Sequence, residues 1–215
     1  MAHAPRLFAD DEAVRRVGRG LLDRTLPKSE WTHEAHLGAI MWILLERPDI
    51  NLDEQVRDII SGYNQATGGV NDDTTGYHDT ITRCFIIGIR GHVSRRSTSP
   101  IVSQVNALLV SAEGEREWPL RFYSRELLFS VPARRAFVPP DLAPVEPTLT
   151  REHWTRVANA MAENPYAIIT CPECKEGILR SRDQAIADKP GFVRRYVTCD
   201  LCGAESSMRL RAQTL

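Results

Sequence analysis

The sequence predicts a mainly α-helical fold, in which a bundle of five to six helices is followed by a small β-type zinc ribbon with four cysteines. Apolar residues recur at helical spacing over the first 138 residues of the 215-residue chain. Four of the 13 prolines lie between Pro139 and Pro147, which indicates an extended linker. Two Cys-x-x-Cys pairs follow, as in zinc ribbons. We therefore expect a helical domain at 1–138, a linker at 139–149, and a short helix plus zinc ribbon at 150–215.

Five helices are predicted from apolar spacing and from residues that start or stop helices. They cover residues 10–22, the stretch from Ser29 or Thr32 to about Glu46, residues 53–67, the stretch from about Tyr77 through Ile89, and the stretch from Ser99 or Pro100 to about Ala112. A short helical or turn-rich segment extends as far as Phe137, and Thr150 is expected to cap one more helix. Strands are expected at 167–169 and 193–198, before the two cysteine pairs.

The composition is that of a globular protein in a reducing compartment. Hydrophobic residues make up 42% and charged residues 26% of the chain, which excludes a disordered protein. The longest uncharged apolar run, 37–45, is too short to span a membrane, and residues 1–12 lack the pattern of a secretory signal. Four of the five cysteines lie in pairs that suit metal-bound thiolates. We therefore expect a cytoplasmic protein without a membrane partner.

The two cysteine pairs are the most specific motif in the chain. Cys171 and Cys174 are separated from Cys199 and Cys202 by 24 residues, a spacing that suits two tight turns on neighbouring hairpins. Four thiolates brought together in this way would hold a structural Zn²⁺, and a segment this small needs the metal to fold. Iron in a rubredoxin-like site, or redox-active cysteines, are the alternatives.

Basic and aromatic residues are interspersed in the predicted ribbon, although the formal net charge of the whole chain is -1. Such a combination can bind a nucleic-acid backbone and stack on bases, whereas the alternative is a solvated charged face. A protein partner at the ribbon is a further alternative. The basic residues are Arg180, Arg182, Lys189, Arg194, Arg195, Arg209 and Arg211, and the aromatic residues are Phe192 and Tyr196.

Three histidines form the candidate catalytic group of the helical part. His33, His36 and His78 each lie near a predicted helix start and on an apolar stripe. A helix amino terminus disfavours protonated imidazole, and neutral imidazole is what a metal ion or a general base requires. The three rings would either bind a second metal or provide metal-free acid–base chemistry on a small molecule. The alternative is that each ring is a hydrogen-bonded core residue.

Four further polar residues of the helical part are candidates for binding a substrate. Tyr77 and Arg83 lie beside His78 and would orient an anionic ligand. Arg121 and Tyr123 form a second polar group that would fold back over the bundle.

Five motifs occur in order along the helical part of the chain. They are 26–37, LPKSEWTHEAHL; 63–64, YN; 76–83, GYHDTITR; 123–130, YSRELLFS; and 140–144, PDLAP. Together they resemble a family of bacterial helical proteins known only as hypothetical proteins. The resemblance covers about residues 15–145 and implies that residues up to Pro144 form one unit to which the ribbon is added. The family more often has glutamate where this chain has Asp79, and it supplies no activity to transfer.

Two functions follow from these residues. The first is a cytoplasmic zinc-binding enzyme with a histidine-lined pocket in the helical domain. The second is a non-catalytic binding or regulatory module whose zinc ribbon contacts protein or nucleic acid.

Overall fold

The computed structural model describes residues 5–93, 99–145, 151–187 and 189–211, apart from the side chains of residues 151–153 and 155. Eight α-helices lie in this part of the chain, and none of them has the length and apolar character needed to cross a membrane. They are α1 Asp11–Leu22, α2 His33–Glu46, α3 Leu52–Ala66, α4 Asp79–His92, α5 Ile101–Leu109, α6 Arg125–Leu128, α7 Val131–Arg135 and α8 Arg151–Glu163. Short 3-10 helices cover Lys28–Glu30, Ala112–Gly114 and Trp118–Arg121.

Three antiparallel strands follow the helices and form one sheet in the order β1-β2-β3. Only the predicted strand at 193–198 is confirmed, because β2 contains it, whereas 167–169 is not a strand and is followed by an isolated bridge between Thr170 and Ile178. The outer strands, β1 and β3, were not predicted because their sequences are largely polar. The strands are β1 Leu179–Ala185, β2 Phe192–Cys199 and β3 Glu205–Arg211.

Local sequence explains where the first helices begin. The Asp10 side chain accepts a hydrogen bond from the backbone N–H of Ala13, and Thr32 caps α2 in the same way through the N–H of Ala35. Thr32 was one of the two caps predicted for α2, whereas Asp10 was predicted as the first residue of its helix and is the cap before it. Both caps satisfy backbone donors that have no partner within the first helical turn.

The core of the helical part surrounds α2, which is apolar on almost every side. Its buried residues extend continuously from Leu37 to Ile43 and pack among α1, α4 and α5, while α3 packs on α1. Helix α1 approaches α2 closely at Gly18, where an added Cβ would lie 2.1 Å from a ring carbon of Trp42. Only glycine therefore permits this helix contact without displacement of the indole.

The ribbon packs against the helical part through α5. The backbone N–H of Thr170 donates to the carbonyl of Ser103, and the two hydroxyls bond at 2.8 Å. The Asn106 amide donates to the carbonyl of Ile168 at 3.0 Å. Val157 and Met161 of α8 share a buried cluster with residues of α5 and of the sheet. The sheet is therefore anchored on helices on its inner side.

The described part of the predicted linker, residues 139–145, contains neither helix nor strand. It lies against the segment before α6, because the Asp141 carboxylate accepts from the N–H of Ser124 at 2.8 Å and the N–H of Leu142 donates to the carbonyl of Phe122 at 3.0 Å. Residues 146–149 and the predicted cap Thr150 lie outside the described residues.

A buried carboxylate fixes the start of α4. The side chain of Asp79 is only 3% exposed, and it accepts from the Tyr77 hydroxyl and from Arg83 Nε, each at 2.9 Å. Arg57 of α3 lies 3.1 Å from the same carboxylate and covers the Tyr77 ring. Two guanidinium groups and a hydroxyl therefore compensate the desolvated charge and join α3 to α4.

We predict that Asp79→Asn lowers the free energy of unfolding by about 1–3 kcal/mol, because the charge-assisted hydrogen bonds from both arginines are weakened. Asp53→Asn is the matched control, since Asp53 pairs with Arg90 at an exposed site and its loss should cost under about 1 kcal/mol. Urea denaturation of the two variants measures the difference. Equal losses would contradict the role assigned to Asp79.

Candidate functional site

Four cysteine sulfurs come together at the base of the sheet. The Sγ atoms of Cys171, Cys174, Cys199 and Cys202 all lie within 4.8 Å of one another, with 3.8 Å between Cys171 and Cys202 and 3.7 Å between Cys174 and Cys199. A tetrahedron with metal–sulfur bonds of about 2.3 Å has sulfurs about 3.8 Å apart. The four cysteines are therefore positioned to hold one metal ion, as predicted from their spacing.

Each cysteine pair forms a turn whose backbone N–H groups point at the sulfurs. Gly177 N donates to Cys174 Sγ at 3.3 Å, and the N–H groups of Leu201 and Cys202 donate to Cys199 Sγ at 3.4 Å. Such donors stabilise thiolate charge. Gly177 is a site residue that the sequence analysis missed, since an added Cβ there would lie 2.3 Å from Cys199 Sγ. Its place three residues after the first pair was the available signal.

The environment of the thiols separates their pKa values. Burial raises the pKa of Cys171 to about 12. Burial also acts to raise the pKa of Cys174, but the N–H groups of Gly177 and Glu176 and the neighbouring thiols outweigh it and lower this pKa to about 7. Cys174 therefore ionises more readily than Cys171.

The antiparallel register sorts the side chains of the sheet onto two faces. Arg182 faces Tyr196, and Arg194 faces Arg209, so all four share the outward face. Five arginines lie on this face against one carboxylate of the strands, that of Glu205, while Asp200, which follows β2, lies 3.6 Å from Arg180. We call it the basic face, and it consists of Arg180, Arg182, Gln184, Phe192, Arg194, Tyr196, Thr198, Glu205, Ser207, Arg209 and Arg211.

One arginine of the predicted basic set lies on the opposite face. The Arg195 side chain is only 11% exposed, forms a bidentate pair with Asp183 at 2.7 Å and donates to the carbonyl of Met161 in α8 at 2.6 Å. Its position in β2, one residue from Arg194, explains the difference, because neighbouring strand residues point to opposite faces. Arg195 therefore anchors the sheet to α8 and is not part of the basic face.

A groove lies along the outer edge of β1. Its volume is about 420 Å³, and it combines arginines of the basic face with residues of the turn that follows α8. Tyr166, on this turn, is 92% exposed. The lining residues are Pro165, Tyr166, Ala167, Leu179, Arg180, Ser181, Arg182, Asp183 and Arg195.

The structure places the three predicted histidines on separate hydrogen-bond partners. His33 Nε2 bonds the carbonyl of Gly114 at 2.8 Å, and His36 Nδ1 bonds that of Thr32 at 2.6 Å. Because a carbonyl only accepts, each of these ring nitrogens must carry the proton. His78 uses both nitrogens, since Nε2 bonds the Leu128 carbonyl at 2.9 Å and Nδ1 accepts from the N–H of Ile81 at 3.4 Å as the cap of α4.

The three imidazoles therefore do not form a group that could share one metal ion, which was one of the predictions from the sequence. Among the described residues, the group of three or more His, Cys, Asp or Glu side chains that is close enough to share a metal ion consists of the four cysteines. Burial lowers the pKa of His33, His36 and His78 alike, so the rings are neutral, as expected at these helix starts. In this neutral form, each ring donates one hydrogen bond to a backbone carbonyl.

The four predicted substrate-binding residues also have partners within the chain. Tyr77 and Arg83 bind the carboxylate of Asp79, so the anion that they orient is an internal one. The Tyr123 hydroxyl donates to the carbonyl of Val138 at 3.0 Å, and Arg121 lies 3.5 Å from Glu115. All four predicted substrate-binding residues thus make contacts within the folded chain.

We predict that the full chain binds one equivalent of a thiolate-preferring metal and that Cys199→Ser abolishes this, because three thiolates no longer complete the tetrahedron. Cys84→Ala is the matched control, since Cys84 lies buried in a separate cluster of the helical part. Elemental analysis after gel filtration measures the metal. Retention of a full equivalent by Cys199→Ser would contradict the site.

We predict that the free energy of unfolding falls as the pH drops from 6.5 towards 4. Burial lowers the pKa of His36 to about 4, so the unfolded chain binds more protons in this window and is favoured by acid. At pH 5 this one group accounts for about 2 kcal/mol. Denaturation at pH 7 and pH 5 should show a smaller loss for His36→Gln than for the native chain. An unchanged loss would contradict the assignment to His36.

Comparisons of the chain with protein-family models, with curated proteins and with solved structures found no match. The geometry of the cysteine cluster and of the basic face therefore carries the functional argument. The resemblance to a bacterial helical family stays a prediction.

Proposed function

We propose that the protein is a zinc-binding, non-catalytic module whose basic face binds the phosphate backbone of nucleic acid. The observation that carries this proposal is the clustering of five arginines against one carboxylate on one face of the sheet. Phosphate groups provide the opposite charge in a regular array, and their neutralisation releases counterions. The formal net charge of the whole chain is -1, so the excess of arginine on this face is a local one.

Zinc is the metal that suits this site best. Four thiolates in tetrahedral arrangement are the usual ligand set of structural zinc, and a closed set of four leaves no position for a substrate. The zinc would hold both cysteine turns together and so fix the ends of β1 and β2, from which the arginines project. We propose a reducing compartment such as the cytoplasm, where thiolates persist.

Contacts within the basic face support a binding role. The guanidinium of Arg182 lies 4.3 Å from the ring centroid of Tyr196, and that of Arg209 lies 5.6 Å from that of Phe192. Cation–π contacts of this kind restrict the arginine side chains, so less conformational entropy is lost when a phosphate binds. Arg180 lies 3.6 Å from the carboxylate of Asp200 and Arg182 lies 3.9 Å from that of Glu205, but the two arginine side chains remain 70% and 63% exposed, so a phosphate can replace these surface ion pairs.

The histidine-lined pocket is the weaker proposal. One nitrogen each of His33 and His36 keeps a lone pair that could accept a proton or a metal. Acid–base or metal chemistry on a small molecule would need these rings to leave their carbonyl partners or to act singly. His78, with both nitrogens bonded, offers neither.

We predict that the metal-loaded chain binds a labelled oligonucleotide with an affinity that falls steeply with salt. Arg194→Ala combined with Arg209→Ala should weaken binding about tenfold and reduce the slope of log affinity against log salt by about 1–2, because two phosphate contacts are lost. Fluorescence anisotropy at several salt concentrations measures both quantities.

The matched control is Arg16→Ala combined with Arg47→Ala, which removes the same charge from exposed ion pairs of the helical part. This variant should bind like the native chain. Equal weakening by both double variants would show that net charge alone governs binding. Binding of polyglutamate without binding of nucleic acid would refute the proposal, because it would indicate that the partner of the basic face is an acidic protein.

A further inference from the structure

The groove along β1 joins the basic face to an exposed aromatic ring. Arg180 and Arg182 belong both to the basic face and to the groove lining, whereas Tyr166 belongs to the turn after α8. On the groove floor, the carboxylate of Asp183 is neutralised by Arg195 through two bonds of 2.7 Å. The remaining charged residues of the groove lining are Arg180 and Arg182, which are exposed and lie 3.6 Å and 3.9 Å from the carboxylates of Asp200 and Glu205. Its volume of about 420 Å³ lies in the range of small-ligand sites, about 300–1,000 Å³.

The turn that carries Tyr166 is fixed from both sides. The backbone N–H of Tyr166 donates to the Asn164 side chain at 3.2 Å, and the N–H of Ala167 donates to the Asn164 carbonyl at 3.1 Å. The Ser181 hydroxyl of β1 donates to the carbonyl of Pro165 at 3.3 Å. The backbone of this turn is thus held beside the groove, while the Tyr166 side chain itself is exposed to solvent.

The aromatic rings of this region differ in what covers them. Arg182 covers a face of Tyr196, and Arg209 covers a face of Phe192. Tyr166, in contrast, is 92% exposed and presents its ring to solvent. A ligand with a flat aromatic surface can therefore stack on Tyr166 or on the planar guanidinium groups, while the arginines bind an attached anion.

We infer that the groove binds single-stranded nucleic acid, with a base stacked on Tyr166 and the adjoining phosphates bound by Arg180 and Arg182. This inference rests on the proposed function and names the class of nucleic acid. Bases within a duplex are stacked on one another, so a protein ring reaches a base face only in an unpaired strand. The positive groove follows the backbone, and stacking accepts every base because each has a π-face.

The structure disfavours a duplex for a second reason. Recognition in the major groove of DNA uses a helix or a two-stranded ribbon that projects into it. The arginines here lie across the face of a three-stranded sheet instead. A flexible single strand can lie along such a surface and turn over its edge into the groove.

The test uses the full, metal-loaded chain with a fluorescein-labelled 12-nucleotide oligo(dT) and a duplex of equal length. Single-strand binding should be at least about tenfold tighter than duplex binding at the same salt, because only the single strand gains base stacking. Tyr166→Ala should weaken single-strand binding about tenfold without changing its salt slope, whereas Tyr166→Phe should bind like the native chain. Metal content, measured in parallel, reports that the ribbon is intact.

The possible results separate this inference from the proposed function. Salt-dependent binding that is equal for single strand and duplex, or that is unaffected by Tyr166→Ala, would overturn the stacking groove while the proposed function stands. An absence of salt-dependent binding to either probe would overturn both. Tight single-strand binding that Tyr166→Ala weakens and Tyr166→Phe preserves would support both.

Discussion

The convergence of four cysteine sulfurs on one position is the constraint on which the functional end of the molecule depends. Sulfurs within 4.8 Å of one another cannot all carry a negative charge without a cation between them. A metal ion bound there would remove this repulsion and join the turn before β1 to the turn after β2. A sheet of three short strands has a limited core of its own, so such an ion would add to the contacts with α5 and α8 that hold the basic face in place.

The pleat of the sheet separates the residues that anchor it to the helices from those of the basic face. On the inner face, Val197 is fully buried and Arg195 bonds to Asp183 and to the carbonyl of Met161. On the outer face, the neighbouring residues Arg194 and Tyr196 are directed away from α8. A shift of register by one residue would bury arginines against α8 and expose the valine, so the anchoring pair of Arg195 and Asp183 also keeps the arginines of the basic face on the outside.

Features with a local cause were predictable from the sequence, whereas long-range partners were not. The caps at Asp10 and Thr32, the strand β2 and the cysteine cluster each depend on residues close in the chain or on a specific spacing. The hydrogen-bond partners of the histidines could not be predicted in this way. His33 and His78 bond to carbonyls 81 and 50 residues away, and no local pattern in the sequence reveals such partners. The division of arginines between the two faces likewise required the register of the strands.

Net charge is a poor guide to this protein because electrostatic attraction at physiological salt is local. Charges in solvent are largely screened beyond about 8 Å, so a ligand at the sheet responds to the nearby arginines and little to the acidic groups of the helical part. The formal net charge of -1 is therefore a sum over two different surfaces, the basic face of the sheet and the surface of the helical part. The arginines of the helical part are used differently: Arg57 and Arg83 neutralise the buried Asp79. The same side chain thus stabilises the bundle where a carboxylate faces it and remains available for an external anion where the sheet leaves it exposed.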